Sequence, residues 1–303
     1  MKTKTAINIE ELKKWPFPEQ AFLGRGSFGT VTRGLYCNTP VAVKELLTGK
    51  EQMVELRRQA MAELLEEISI LMEFRHPHIV CMVAFNSTYI VMEMYKGNAR
   101  KLNSLDEVAV VGRDCMRGLA YMHLHDKCFI HGDVKPENIL VNYDSFKNIT
   151  KAALGDLGLA RSCVQCLTKK EFSGTPGYMP MPNPCVDTTH DIYALAVSLL
   201  DAFLGSYPGE VHASNEEYNL DDNTMATLAR FPDQHYQKVI SDMLAAYKNG
   251  VQNKPEEKKA KFVRSVMLQW ENIVSTSNVA AQKITSYDFM EDENMSMFIE
   301  SSL

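Results

Sequence analysis

The segment from His131 to Leu140 carries three chemically useful side chains on one short stretch of chain. Its residues are His131-Gly132-Asp133-Val134-Lys135-Pro136-Glu137-Asn138-Ile139-Leu140. The Asp133 carboxylate can accept a proton from a hydroxyl, the Lys135 ammonium can stabilise developing negative charge, and the Asn138 amide oxygen can bind a hard cation. The segment predicts group transfer to a hydroxyl. The simpler alternative is a carboxylate that only caps a turn.

A glycine-rich stretch near the start of the chain is typical of a loop that covers a phosphate group. Its residues are Leu23-Gly24-Arg25-Gly26-Ser27-Phe28-Gly29-Thr30-Val31. Glycines let backbone N–H groups approach phosphate oxygens closely, because no side chain intervenes. In a dinucleotide-binding fold a helix would follow the glycines, whereas the residues after Gly29 prefer a strand. The pattern favours a phosphate-covering hairpin, with an ordinary tight turn as the alternative.

Lys44 follows the apolar run Val41-Ala42-Val43 and is a candidate for neutralising phosphate charge. A lysine that reaches into a cleft needs an anionic partner to fix it. The next helical segment supplies three candidates, Glu63, Glu66 and Glu67. Taken alone, Lys44 would be read as a solvated surface lysine, and most of the glutamates must be solvated.

The elements that must position these side chains change character along the chain. Strand patterns cover residues 21–45, 79–85 and 89–94. Helical patterns cover residues 53–74, 108–123, 190–204, 237–247 and 256–273. We therefore predict an α+β fold with two lobes, a small β-rich N-terminal lobe with one long helix and a mainly helical C-terminal lobe.

The same patterns predict the limits of the parts. The main domain is expected at residues 17–280, with its small lobe at 17–94, its hinge at 93–98 and its large lobe at 99–280. Residues 1–16 are expected to be an N-terminal extension. Residues 281–303 form an acidic, methionine-rich tail without a helical pattern.

Composition restricts the partners and the location. The 303 residues are 45% hydrophobic, enough for a substantial core, and the formal net charge of -6 gives no general attraction to nucleic acid or anionic membranes. The first residues lack the apolar run of a secretory signal or a membrane span. We expect an intracellular protein, in the cytoplasm or nucleus, with no nucleic-acid partner and no membrane span. The sequence does not indicate its oligomeric state.

The seven cysteines are scattered without the spacing of a disulfide framework. We expect reduced thiols that pack as small hydrophobic side chains. Cys163 and Cys166 are the only close pair, and a zinc site would need two further ligands at similar spacing.

Together these segments resemble the protein kinase family, and in particular its serine/threonine-specific members. The resemblance runs from about residue 17 to about residue 273. It implies an enzyme that uses ATP and magnesium to phosphorylate a protein substrate with a serine or threonine acceptor. Asp133 would be the catalytic base and Lys135 would stabilise the transferred phosphoryl group.

The resemblance also assigns the residues around that loop. Counting back from His76-Pro77 makes Glu67 the helix glutamate that pairs with Lys44, with Glu63 as runner-up. Gly155-Asp156-Leu157-Gly158 is similar to the family's Asp-Phe-Gly, so Asp156 would bind magnesium with Asn138. In Ser173-Gly174-Thr175-Pro176-Gly177-Tyr178, Thr175 would bridge the catalytic aspartate and lysine.

Nucleotide contacts follow from the same resemblance. Met92-Glu93-Met94-Tyr95 resembles the segment that connects the lobes, where the Glu93 carbonyl and the Tyr95 amide would bind adenine. Val31, Ala42 and Leu140 match the apolar positions on either side of the adenine ring, and ordinary core packing is the alternative for each.

The chain departs from the family pattern at three places. Gly132 replaces the arginine that usually precedes the catalytic aspartate, so a phosphate on the activation segment would lack its usual cation. Pro180-Met181-Pro182 replaces Ala-Pro-Glu, and only Lys254-Pro255 lies near the position of the partner arginine. We expect the buried ion pair that anchors this segment to be absent. In the central helix Asp191 matches a structural aspartate, with Tyr193 and Ala196 for the usual Trp and Gly.

Two other functions stay open on these grounds. A kinase-like binding module without catalysis is suggested by Gly132 and the missing anchor, although Lys44, Asp133, Asn138 and Asp156 are all present. A small-molecule kinase of related fold is disfavoured by Lys135 and Thr175.

Overall fold

The computed structural model describes residues 11–25, 29–46, 54–163, 174–179, 187–205, 226–248 and 256–276. Several predicted features lie outside these residues: the tip of the glycine-rich stretch (Gly26, Ser27 and Phe28), Cys166, residues 180–182, residues 254–255, and the tail at 281–303. None of the described helices has an apolar run long enough to span a bilayer.

The N-terminal lobe is an antiparallel sheet with one helix. Its strands are β1 (Leu12–Lys14), β2 (Phe22–Arg25), β3 (Gly29–Tyr36), β4 (Thr39–Leu46), β5 (Met82–Phe85) and β6 (Tyr89–Glu93), and its helix is α1 (Val54–Glu73). The sheet order is β1-β3-β4-β6-β5, and β2 pairs with β3. Because β1 lies within residues 1–16, part of the expected extension contributes a strand to this sheet.

Strand alternation decides what β4 presents to each side of the sheet. Val41 and Val43 pack on one face in a small apolar cluster with Ala84 and Val91. Ala42 and Lys44, one residue out of phase, therefore face the opposite side, toward the second lobe. This places Lys44, which is only 6% exposed, beneath the sheet and not in solvent.

The C-terminal lobe is mainly helical. Its helices are α2 (Leu105–His123), α3 (Thr188–Leu204), α4 (Gln234–Lys248) and α5 (Glu256–Thr276). Its short strands are β7 (Gly97–Asn98), β8 (Phe129–Ile130), β9 (Ile139–Tyr143), β10 (Ile149–Leu154) and β11 (Arg161–Ser162), arranged as β10-β9-β7 and β11-β8. Helix α2 packs tightly on α5, since a Cβ added at Gly112 would lie 2.7 Å from the Trp270 ring. The predicted α+β class with a β-rich N-terminal part and a helical C-terminal part is confirmed.

Capping residues explain where two helices begin earlier than their apolar patterns predicted. Ser104 caps α2 by accepting from the Glu107 N–H, and Asp187 caps α3 by accepting from the Thr189 N–H. Each cap satisfies an N–H group that would otherwise have no partner in the first turn.

The expectation that all cysteines are reduced is wrong for one pair. Cys128 and Cys163 form a disulfide with their Cα atoms 5.5 Å apart. Antiparallel pairing of β8 with β11 brings these two residues together, although they are 35 positions apart in the chain. Cys37, Cys81 and Cys115 are not in a disulfide.

Candidate active site

A cleft of about 350 Å³ lies between the sheet and the second lobe. Ten of the predicted nucleotide-binding, catalytic and metal residues line it: Leu23, Gly24, Val31, Ala42, Lys44, Glu93, Tyr95, Asn138, Leu140 and Asp156. Glu67, the predicted partner of Lys44, and Met92, from the segment predicted to connect the lobes, line it as well. Of the remaining glycine-rich residues, Arg25 ends β2, and Gly29 and Thr30 begin β3. The structure thus brings most of the predicted nucleotide-binding residues together around one cavity.

Lys44 is held between two carboxylates at the inner end of this cleft. Its Nζ lies 2.8 and 2.7 Å from the Glu67 Oε1 and Oε2 atoms, and 2.9 Å from Asp156 Oδ1. Burial alone would lower the pKa of Lys44, but the two carboxylates outweigh it and raise that pKa above its ordinary value. Lys44 is therefore a fixed cation that faces the cavity.

The three glutamates of α1 have different surroundings. Glu67 is 4% exposed and binds Lys44, whereas Glu63 is bonded to Gln59 on the surface of the same helix. Glu66 approaches Arg161, with Oε1 3.7 Å from the Arg161 Nε. The structure thus brings Glu67, and not the runner-up Glu63, to the lysine.

A compact hydrogen-bonded group surrounds the Asp133 carboxylate. Lys135 Nζ lies 2.7 Å from Asp133 Oδ2 and donates to the Thr175 hydroxyl at 2.7 Å. That hydroxyl donates to Asp133 Oδ1 at 2.6 Å, and the Thr175 N–H donates to the same oxygen at 3.0 Å. Asn138 Nδ2 donates to Asp133 Oδ2 at 2.9 Å. Lys135 and Asn138, from the motif that contains Asp133, and Thr175, from a separate motif, therefore meet at one carboxylate.

Asp191 supports the backbone of the loop that carries Asp133. Its Oδ2 accepts from the His131 N–H at 2.8 Å, and its Oδ1 accepts from the Gly132 N–H at 2.9 Å. The buried His123 lies 2.8 Å from the same carboxylate and was missed by sequence reasoning, because nothing local in helix α2 marks it. Gly132 has φ 82°, a left-handed conformation that glycine adopts readily, so the departure from arginine suits the local backbone.

Asn138 and Asp156, assigned to magnesium by resemblance, lie side by side. The Gly155 N–H donates to the Asn138 carbonyl at 2.8 Å, and both residues line the cleft. Because the Asn138 Nδ2 group is bound to Asp133, its Oδ1 is the atom that can face a cation. Asp156 has φ 54°, an uncommon conformation for a residue with a side chain.

These donors fit a magnesium ion that is bound together with phosphate. Amide and carboxylate oxygens are the ligands magnesium prefers, and one or two protein ligands suffice when phosphate oxygens and water complete the shell. Within the described residues, no group of three or more His, Cys, Asp or Glu side chains could hold a metal. Partial burial would raise the pKa of Asp156, but the Lys44 ammonium lowers it, so Asp156 is available as a carboxylate.

The connection between the lobes contributes the outer wall of the cleft. Glu93 accepts from the Cys81 N–H and from the Tyr95 hydroxyl, at 2.9 and 3.0 Å, so both hinge side chains are fixed. Sequence reasoning gave no site role to several of the lining residues, among them Val80, Arg100 and Glu137. Gly97 and Asn98 lie in the predicted hinge at 93–98, whereas the ion pair between Arg100 and Glu137 has no local signal.

The expected absence of the family's buried ion pair after Thr175 stays a prediction. The positions where the family pair would lie, residues 180–182 and 254–255, are outside the described residues. However, Asp187 Oδ2 lies 3.2 Å from the Lys259 Nζ, with the two side chains 9% and 11% exposed. The Tyr178 hydroxyl also donates to Asp201 at 2.7 Å. An ion pair therefore forms between two residues, Asp187 and Lys259, that the family resemblance did not single out.

Comparison with known proteins agrees with this geometry. The family described as protein kinase domain matches residues 17–292. Receptor protein kinase WSS1 of Oryza sativa subsp. japonica is 30% identical over 224 residues, 66% of this chain and 23% of that protein. Serine/threonine-protein kinase WNK of Caenorhabditis elegans is 30% identical over 61% of this chain and 11% of its own length.

A third relative, serine/threonine-protein kinase dkf-1 of Caenorhabditis briggsae, is 25% identical over 72% of this chain and 30% of its own length. The chain therefore spans less than a third of each of these three relatives. They share the kinase region, and what the remainder of each protein does has no counterpart in the matched residues.

Proposed function

The chain belongs to the protein kinase family, and on that premise we propose that it is an active serine/threonine kinase with Asp133 as its catalytic base. It would transfer the γ-phosphoryl group of ATP to a serine or threonine hydroxyl of a protein substrate. The observation that carries the proposal is the hydrogen-bonded triangle of Asp133, Lys135 and Thr175, joined through Asn138 to a cleft that suits a nucleotide.

Asp133 would act on the acceptor hydroxyl. As the substrate oxygen bonds to the γ-phosphorus, the bond from that phosphorus to the β–γ bridging oxygen breaks, ADP leaves, and the hydroxyl proton passes to Asp133. The bonds from Thr175 and Asn138 hold the carboxylate in one orientation before the substrate arrives. Such positioning is a major contribution to rate in phosphoryl transfer.

Two cationic side chains would stabilise the negative charge of the reaction. Lys44, fixed by Glu67, would contact the phosphates from beneath the sheet, and Lys135 would contact the transferred phosphoryl group beside Asp133. Asn138 and Asp156 would hold a magnesium ion, which supplies further positive charge at the phosphate oxygens when it is bound. The apolar Val31, Ala42 and Leu140 would enclose the adenine ring.

Specificity for serine and threonine rests on Lys135 and Thr175. Both residues match the serine/threonine members of the family, and their direct 2.7 Å bond is consistent with that assignment. The kinase-like binding module is the second reading. It gains little support from the described residues, because Lys44, Glu67 and Asp156 are already joined in one ion-pair cluster.

The decisive experiment is magnesium-dependent transfer of labelled phosphate from ATP to the protein itself, to casein and to histone. Lys44→Met and Asp133→Asn serve as inactive controls, and the labelled residues are identified by mass spectrometry. We expect phosphoserine or phosphothreonine in the wild type and none in either variant. Transfer only to tyrosine would overturn the specificity. ATP binding without any transfer would favour the binding module.

A further inference from the structure

Asp187 and Lys259 form a nearly buried ion pair, and neither residue lines the cleft. Asp187 precedes the first residue of α3, and Lys259 lies in the first turn of α5. Their charged atoms are 3.2 Å apart, and the two residues are 7% and 9% exposed. A lysine is rarely buried to this extent unless a charge partner compensates the loss of water.

The capping of α3 does not by itself require Lys259. Asp187 Oδ1 accepts from the Thr189 N–H at 2.8 Å and from the Thr189 hydroxyl at 2.5 Å, and the Asp187 N–H donates to His190 Nδ1 at 3.1 Å. These contacts complete the cap. The second carboxylate oxygen, Oδ2, faces Lys259, so the ion pair is an addition that connects α3 to α5.

The chain segments before and after Asp187 both contribute residues to the candidate active site. The segment before it carries Thr175, which contacts Asp133, and Tyr178, which is bonded to Asp201 of α3. One turn after it, Asp191 holds the backbone of the catalytic loop through two N–H groups. Asp187 therefore lies where the substrate segment returns to the helix that supports the catalytic loop.

We infer that Lys259 is a positioning residue for protein phosphorylation, which fixes the C-terminal end of the substrate segment to helix α5 through Asp187. This inference rests on the proposed function only for the role of Thr175 in substrate binding. The pair would take over the anchoring that the departures at residues 180–182 and 254–255 would otherwise remove.

Four variants separate anchoring from general stability. Lys259→Met removes the charge and keeps most of the stem. Asp187→Asn removes the charge and keeps a good helix cap, since asparagine caps as well as aspartate. Lys259→Arg keeps the positive charge at this position. Lys258→Met is the matched control, because Lys258 is the exposed neighbour on the same helix.

The first readout is hydrogen exchange at the Thr175 and Tyr178 amides, which requires no catalysis. In the wild type these amides donate to Asp133 Oδ1 and to the Thr175 carbonyl. We expect Lys259→Met and Asp187→Asn to accelerate their exchange about tenfold, as local opening becomes easier. Lys259→Arg and Lys258→Met should leave the rates near the wild-type values. Unchanged exchange in Lys259→Met would refute the anchor.

The second readout is steady-state phosphorylation of casein. For Lys259→Met, kcat/KM for casein should fall about tenfold while the KM for ATP changes less than about twofold, since the nucleotide cleft is untouched. The double variant Asp187→Asn, Lys259→Met strands no charge, so its Tm should recover toward the wild type. Its casein kcat/KM should stay low. Recovery of both quantities together would mean that the pair serves stability alone, and would overturn the inference.

Discussion

Among the described residues, two lysine–carboxylate pairs are nearly buried, and their surroundings differ. In the cleft, Lys44 faces Glu67 and also Asp156, whose side chain is 42% exposed to the cavity. In the large lobe, between α3 and α5, Lys259 faces one oxygen of Asp187, whose other oxygen caps α3. The two ion pairs therefore differ in what they can do. The Lys44 pair presents a fixed cation to the cavity, and the Lys259 pair connects α3 to α5.

The two regions also differ in how much of them the sequence predicts. The cleft pair was found because its residues lie in dense local patterns: a glycine-rich stretch, an apolar strand ending in Lys44, and a long helix without Gly or Pro. Asp187 and Lys259 have no such context, since one is the cap of a helix and the other lies in a run of charged residues. Only the three-dimensional packing of α3 and α5 brings them together.

The fold shows the same division. The five helices α1 to α5 of the described residues were all expected from apolar spacing, and the α+β class with its two parts followed from the order of helices and strands. The two-residue strands β7, β8 and β11 were not, because so few residues cannot show alternation. The Cys128–Cys163 disulfide depends on pairing between two of these strands, so residue spacing could not reveal it.

The most direct way to break the assignment of chemistry to the cleft is Asp133→Asn. We expect kcat to fall by about 10³-fold or more while ATP binding stays within about twofold, because the carboxylate acts on the hydroxyl proton and not on the nucleotide. Turnover is measured by phosphate transfer to casein, and binding by fluorescence of an ATP analogue. Asp126→Asn, at an exposed turn, is the control. Unchanged turnover in Asp133→Asn would remove Asp133 from its proposed role.

The disulfide beside strands β8 and β11 provides a second test. Cys128→Ser opens a disulfide loop spanning 35 positions, so the free energy of unfolding should fall by about 4 kcal/mol under non-reducing conditions. Urea unfolding followed by circular dichroism measures the change. Cys37→Ser, which removes an exposed free thiol, should have little effect. Added dithiothreitol should bring the wild type down to the level of Cys128→Ser; a difference that survives the reductant would speak against the disulfide as its cause.

Glu67→Gln tests the pair in the cleft itself. Removing one charge strands a buried ammonium and loosens Lys44, so kcat/KM for ATP should fall by roughly thirtyfold, equivalent to about 2 kcal/mol. Glu63→Gln is the matched control, because Glu63 lies one turn earlier on the same helix face and binds only Gln59 among the described contacts. Initial rates at varied ATP concentration measure both. Equal losses in the two variants would mean that the Lys44–Glu67 contact has no special role.

The smallest expected effect is the pH dependence of Tm that arises from the Asp187–Lys259 pair. Burial would raise the pKa of Asp187, but the His190 and Thr189 side chains and the Lys259 ammonium hold it well below its ordinary value of 3.8. A carboxylate whose folded pKa is depressed stabilises the fold above its unfolded pKa, and loses that contribution as the pH falls toward the folded value. The wild type should therefore have a higher Tm than Asp187→Asn near pH 7. The difference should be about 3 °C for each kcal/mol that the charged carboxylate adds to the free energy of unfolding.

That difference in Tm should shrink as the pH falls below about 4, because the unfolded chain then takes up a proton at Asp187 while the folded carboxylate, with its lower pKa, is protonated only at still lower pH. Differential scanning calorimetry of both proteins between pH 3 and pH 7, at constant ionic strength, measures it. Lys259→Met should show the same convergence, since its defect is the unpaired Asp187 charge that acid removes. If Lys259→Met stays equally destabilised at low pH, lost packing of the lysine stem and not the ion pair is the cause, and the two regions differ less than their geometry indicates.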